Sequence, residues 1–179
     1  MCEISIIGLG NILDGDMGVG CYILEALAQD NLGDNIRLAY LAEEAIKADV
    51  WFYKASLAII VQGLCLGANP GRILCWNYKT FRQNLTWLTE QSKTIRPLTQ
   101  ALARTELANG FPEKLLFIFI QPKETGRPSI SKEMCKAMRR AIKIIKRQLQ
   151  ENGFLSTTTS SKLEPIYRLK LLQGSMLMF

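Results

Sequence analysis

Gly8-Leu9-Gly10-Asn11-Ile12-Leu13-Asp14-Gly15-Asp16-Met17-Gly18-Val19-Gly20 follows directly on the apolar run Ile4 to Leu9 and leads into Val19, Ile23, Leu24 and Leu27. The run before it is β-branched and apolar, as a buried strand is, whereas the residues after it recur at a spacing that places them on one face of a helix. The stretch therefore predicts a strand, a glycine-rich turn and a helix, the opening unit of an α/β domain. Its glycines suit tight turns and close backbone approach.

The same alternation continues outward. Ile36 to Leu41 reads as a second strand, Glu43 to Ala55 as a short helix, and Leu57 to Val61 as a near-continuous apolar strand suited to a sheet covered on both faces. Gly67-Ala68-Asn69-Pro70-Gly71 marks a turn before the strand Arg72 to Trp76. Helical periodicity returns at Phe81 to Leu88 and at Leu98 to Leu107, with Gly110 and Pro112 as a stop signal, and Lys114 to Ile120 is another strand. Ser131 is placed to cap a long helix with a buried stripe of Met134, Met138, Ala141, Ile142, Ile145 and Leu149, and Gly153 ends it.

This pattern predicts an α/β fold, a three-layer α/β/α sandwich with a twisted, mostly parallel sheet. Sites in such folds form beyond the carboxyl ends of strands, here the loops after Leu9, Val61 and Ile120. One domain over residues 1–153 is expected, with 154–179 as a C-terminal tail. Its linker Ser156 to Ser161 precedes the apolar run Ile166 to Leu172, which docks as an edge strand or stays mobile. No internal repeat is present.

With 179 residues and 48% hydrophobic content, the chain has material for one well-buried core. No apolar stretch is long enough for a bilayer-spanning helix, and Ile4 to Leu9 is too short for a signal peptide, so no membrane span and a cytoplasmic location are expected. Cys2, Cys21, Cys65, Cys75 and Cys135 form no C-x-x-C pair and read as reduced, mostly buried thiols. Histidine is absent, which removes the usual proton shuttle at neutral pH and the commonest metal ligand.

The net charge of +6 is concentrated between residues 123 and 150, where nine Lys or Arg face only Glu124 and Glu133. On the long helix, Lys136, Arg139, Arg140, Lys143 and Arg147 form a basic face. That face reads first as a solvated surface whose long side chains cover the apolar stripe, and second as a surface for an anionic partner. Ser131 to Gln150 holds no aromatic residue, so a nucleic-acid partner is not expected.

A dinucleotide site would need G-x-G-x-x-G. Gly8 and Gly10 supply two of the glycines, but Leu13 takes the third place, and no acidic residue stands about twenty positions on at a second strand end.

The block instead resembles the opening of the hydrogenase maturation endopeptidase family, the processing enzymes for the large subunit of nickel-iron hydrogenases. Gly8, Gly10, Asn11, Leu13, Asp16, Gly18 and Gly20 are in register with it. A weaker likeness runs through the third strand, through Phe111-Pro112-Glu113-Lys114 into Leu115 to Gln121-Pro122, and into the last helix. The resemblance implies a twisted α/β/α sandwich and a hydrogenase large subunit, or a related protein, as partner. It also implies that nickel in the precursor is contacted before a C-terminal extension is cut. Three family side chains make that contact: an acid in the glycine loop, an aspartate after the third strand and a histidine in a later loop.

In this chain those positions fall on Met17, Gln62 and Thr94. A thioether prefers soft metals, a carboxamide is a feeble ligand and no general base, and a hydroxyl replaces the imidazole. Catalytic residues are therefore unknown, and neither a bound metal nor a cofactor is expected, since the family site would contact nickel only in its substrate. Read structurally, Met17 fills a core face and Gln62 satisfies backbone groups at a strand end. Gly10, Asn11, Asp14 and Asp16 are expected to shape a glycine-loop pocket. Asp16 reads as a helix N-cap and Asp14 as a turn former, or else the two together hold a hard cation. Cys21, one turn into the first helix, reads as a buried structural thiol without a base. Two functions stay open: a binding or assembly factor that does not cleave, and an endopeptidase with a shifted site on Asp14 and Asp16.

Overall fold

The glycine-rich opening folds as its pattern predicts, and everything else is built around it. In the computed structural model, residues 3–30 and 32–155 are described. Cys2 and the expectations for the linker and for Ile166 to Leu172 lie outside them.

Strand β1 (Glu3–Leu9) runs through the glycine loop and a 3₁₀ turn (Gly15–Gly18) into helix α1 (Val19–Ala28). β2 (Ile36–Ala42) is followed by a 3₁₀ turn (Ala45–Ala48) and the one-turn helix α2 (Asp49–Phe52), and β3 (Ala55–Gly63) crosses the centre. β4 (Ile73–Asn77), α3 (Tyr78–Gln83), α4 (Leu85–Gln91), α5 (Ile95–Leu107), β5 (Lys114–Ile120) and α6 (Lys132–Glu151) complete it.

The sheet order is β2-β1-β3-β5-β4, with every pairing parallel except β4 with β5. A parallel return needs a crossover of a dozen or more residues. The link from β3 to β4 is shorter and holds no helix, so β4 runs back along the edge as an antiparallel strand. β3 is buried at all nine positions, which explains the unbroken apolar run Leu57 to Val61 at its centre.

Alternate residues of the strands feed two cores. Ile4, Ile6, Leu57, Ile59 and Val61 face α1 and α6, where Met134, Met138, Ala141, Ile142, Ile145 and Leu149 pack as the sequence predicts. Ile7, Leu9, Ala58 and Ile60 face the other layer, with Phe52, Phe81, Leu88, Leu98 and Leu102. Phe81 stacks on Phe117 with ring centroids 4.0 Å apart. Three layers result, and no helix among the described residues is long and apolar enough to cross a membrane.

Four sequence expectations need correcting. The helix expected over residues 43–55 is only the 3₁₀ turn and α2, because Tyr53 leaves helical geometry, Lys54 adopts φ +55°, and Ala55 already belongs to β3. The stretch Phe81 to Leu88 is split at Asn84, whose side chain donates to the Thr80 carbonyl at 2.8 Å and competes with the helix ladder. α5 is stopped by Asn109 rather than Gly110: Asn109 takes the left-handed conformation at φ +50°, and Gly110 N then donates to Thr105 O at 2.8 Å. The described cysteines are not buried, since Cys65 and Cys75 are exposed and Cys21 and Cys135 half-buried.

Candidate functional site

The order of the strands puts the switch of chain direction between β1 and β3, so the loops after Leu9 and Gly63 meet at the carboxyl edge of the sheet. Leu9 lies beside Gln62 in register, and the glycine loop closes over the end of β3. Gly10 makes that closure possible. It has φ +106°, and a Cβ there would lie 1.9 Å from the Met17 carbonyl oxygen, so only glycine fits. Gly63 meets the loop from the strand side, where a Cβ would sit 2.9 Å from Met17 Cα. Tyr40 fixes the loop from β2 by donating its hydroxyl to the Gly10 carbonyl at 2.6 Å, and burial pushes its pKa up. Asn11 Oδ1 accepts from Leu13 N at 2.9 Å and shapes the next bend.

Asp16 is fully buried and is not a cap of α1. Its Oδ2 accepts from Lys123 N at 2.8 Å, Glu124 N at 3.0 Å and Ser131 Oγ at 2.8 Å, while Oδ1 accepts from Ser131 N at 2.8 Å. Ser131 also caps α6, accepting from Met134 N at 3.1 Å. Asp16 thus rivets the glycine loop to the turn after β5 and to the start of α6, where the helix dipole favours a negative charge. Asp14 accepts from Gly126 N in the same turn. Of the residues expected to shape a glycine-loop pocket, Gly10, Asn11, Asp14 and Asp16, the two acids are tied to this turn, and the Asp16 carboxylate is held by four donors. Among the described residues no group of three or more His, Cys, Asp or Glu is placed to hold a metal.

Met17, Gln62 and Thr94 converge on the carboxyl edge. Met17 is partly exposed and belongs to neither core, contrary to the reading of it as a core filler. Gln62 is 1% exposed and points to the α5 layer. Its Nε2 donates to Thr94 Oγ1 at 2.7 Å and to Ser92 Oγ at 2.8 Å, rather than to backbone groups as expected, and the two hydroxyl oxygens lie 2.8 Å apart. Thr94, at the start of α5, makes no side-chain cap because its hydroxyl is committed to this triangle. Gln62 Oε1 is buried and has no hydrogen-bond partner. Sequence reading missed Ser92; the polar turn Gln91-Ser92-Lys93-Thr94 between two helices was its only signal.

This donor set does not suit a borderline divalent ion. Gln62 Nε2, a donor, stands within hydrogen-bond distance of both hydroxyl oxygens, where a cation would need an acceptor. Exposed Lys93 and Arg96 and the positive end of α5 add unfavourable charge.

The basic face of α6 does not join the site, since α6 and α5 pack on opposite faces of the sheet. Lys136, Arg139, Arg140, Lys143 and Arg147 are exposed; Arg140 donates to the Gly71 carbonyl at 2.7 Å and Arg147 pairs with Glu151 at 3.3 Å. Cys21 is half-buried, and burial followed by the nearby Glu25 carboxylate pushes its thiol pKa up.

No family model matches the chain. A protein of Methanocaldococcus jannaschii, provisionally described as a hydrogenase maturation protease, is 29% identical over 154 residues, spanning 80% of this chain and 94% of that protein. The hydrogenase maturating endopeptidase HybD of E. coli matches with a TM-score of 0.77 at 21% identity, over 84% of this chain and 94% of its own. The nickel-iron hydrogenase maturation protease HybD of Thermococcus kodakarensis matches with a TM-score of 0.67 at 18% identity, over 82% and 98%. At such identities the structural matches establish the fold.

Proposed function

Since the chain belongs to the hydrogenase maturation endopeptidase family, we propose that it is a cytoplasmic factor that binds a nickel-iron hydrogenase large subunit, or a related protein, without nickel-dependent cleavage. The observation that carries this reading is the Gln62 amide. Where the family resemblance implies an acid, this chain has an amide whose nitrogen donates to the Ser92 and Thr94 hydroxyls. A metal-activated water needs ligands that leave an open coordination position, and here the hydroxyls accept from the amide nitrogen instead.

Exposed apolar side chains beside the loop support a polypeptide partner. Leu13 is 66% exposed and Ile12 39%, and the partly exposed Met17 lies at the end of the same loop. Large apolar groups left in solvent on a rigid loop are the kind of anchor that interfaces bury. The competing reading, cleavage through Asp14 and Asp16, has less support because the Asp16 carboxylate is already held by four donors.

The test is incubation of the purified protein with nickel-loaded and nickel-free large-subunit precursor. A stable complex on size-exclusion chromatography, with an intact precursor by mass spectrometry, is expected. Release of the C-terminal extension would establish cleavage and overturn the reading. Absence of any complex would remove the partner assignment.

A further inference from the structure

The hydrogen-bond inventory of the Gln62, Ser92 and Thr94 triangle does not close. Gln62 Nε2 donates to both hydroxyl oxygens, at 2.8 and 2.7 Å. Thr94 N also donates to Ser92 Oγ, at 3.3 Å, so with Gln62 Nε2 both Ser92 lone pairs are taken and the 2.8 Å contact is the Ser92 hydroxyl donating to Thr94 Oγ1. That leaves the proton of Thr94 Oγ1, which only accepts in these bonds, and Gln62 Oε1, on a residue 1% exposed, which has no donor. One vacant acceptor and one vacant donor therefore lie on the same neutral cluster. A buried polar atom without a partner costs free energy that a suitable ligand recovers.

That pairing matches an amide, which offers an N–H and a C=O together, and does not match a metal ion, which would meet the Gln62 Nε2 donor at the hydroxyls. The first turn of α5, which begins at Ile95, likewise favours the oxygen end of an amide dipole over a cation. We propose that Gln62, Ser92 and Thr94 form a metal-independent site for a peptide amide of the partner polypeptide, whose N–H bonds Gln62 Oε1 and whose carbonyl accepts the spare hydroxyl proton. The proposal rests on the reading of the chain as a binding factor and names what its altered centre recognises. Ser92 is the partly exposed member of the cluster and the side of entry. Because Oε1 is closed off in the free protein, seating the amide requires a side-chain rotation, a change common at interfaces.

Two measurements test it on the full chain. In calorimetric titration with a hydrogenase large-subunit precursor, nickel-free and nickel-loaded forms are expected to bind equally. Gln62→Met, close in size, and Thr94→Val are each expected to weaken binding about tenfold, the effect of one lost hydrogen bond, with native folding confirmed by circular dichroism. Binding that depends on nickel, or that is unchanged in Gln62→Met, overturns the proposal while leaving the partner assignment standing. If neither precursor form binds, the partner assignment fails, and the second measurement still decides. The Gln62 side-chain amide resonances are expected to shift when N-methylacetamide is added and to stay in place with zinc chloride. A response to zinc, or none to N-methylacetamide, overturns it.

Discussion

Replacing Asp16 by Asn tests whether this acid is part of the architecture or of a reactive site. The asparagine carbonyl is able to keep the Lys123 N, Glu124 N and Ser131 Oγ bonds now made to Oδ2, but its amide nitrogen is then set against Ser131 N, which now lies 2.8 Å from Oδ1. One hydrogen bond to a charged acceptor disappears, worth about 1.5–3 kcal/mol, and a buried N–H left unpaired costs roughly 1–3 kcal/mol more. The favourable charge at the start of α6 is lost as well. We expect a total near 4 kcal/mol, a large part of the roughly 5–15 kcal/mol by which such domains are stable. With a urea dependence of about 2 kcal/mol/M, the unfolding midpoint should fall by about 2 M. Asp14→Asn, whose side chain accepts from the exposed Gly126 N, should cost about 1 kcal/mol or less. Urea unfolding followed by circular dichroism measures both. An Asp16→Asn midpoint equal to that of the native protein would refute the reasoning and return Asp16 to candidacy as a free acid.

Gly10→Ala should abolish folding or leave a protein that melts far below the native one, since its Cβ would fall 1.9 Å from the Met17 carbonyl at φ +106°; soluble yield and thermal unfolding check this. Burial and then Glu25 raise the Cys21 pKa, so less thiolate exists at a given pH. Alkylation of Cys21 by iodoacetamide at pH 8 should be slower than for a small reference thiol, its rate should climb only at higher pH, and Glu25→Gln should speed it by removing the repulsion. Mass spectrometry of the modified peptide provides the rate.

The layers of this fold were legible because they depend on local periodicity. Alternating apolar strands and one-sided helices define a sandwich whatever the details, and Lys114 to Ile120 and the α6 stripe appear where the pattern placed them. The breaks were less legible, because they depend on competing hydrogen bonds. Asn84 splits a helix through a side-chain bond to Thr80, and Asn109 rather than the adjacent Gly110 takes the left-handed turn. In the site, the family resemblance pointed to Met17, Gln62 and Thr94, and residue chemistry marked them as poor ligands, since a thioether, an amide and a hydroxyl keep their character in any fold.

Sequence by itself determined the α/β sandwich through residue type and spacing, and the family resemblance it carries pointed to Met17, Gln62 and Thr94, whose side chains are neutral in any fold. Only the tertiary structure decided what Asp16 does, because its four donors come from residues more than a hundred positions away in the chain. It also decided that Gln62 turns to Ser92 and Thr94 and leaves Oε1 without a donor. Hydrogen bonds of that kind depend on distances between atoms that only packing sets, and no spacing along the chain encodes them.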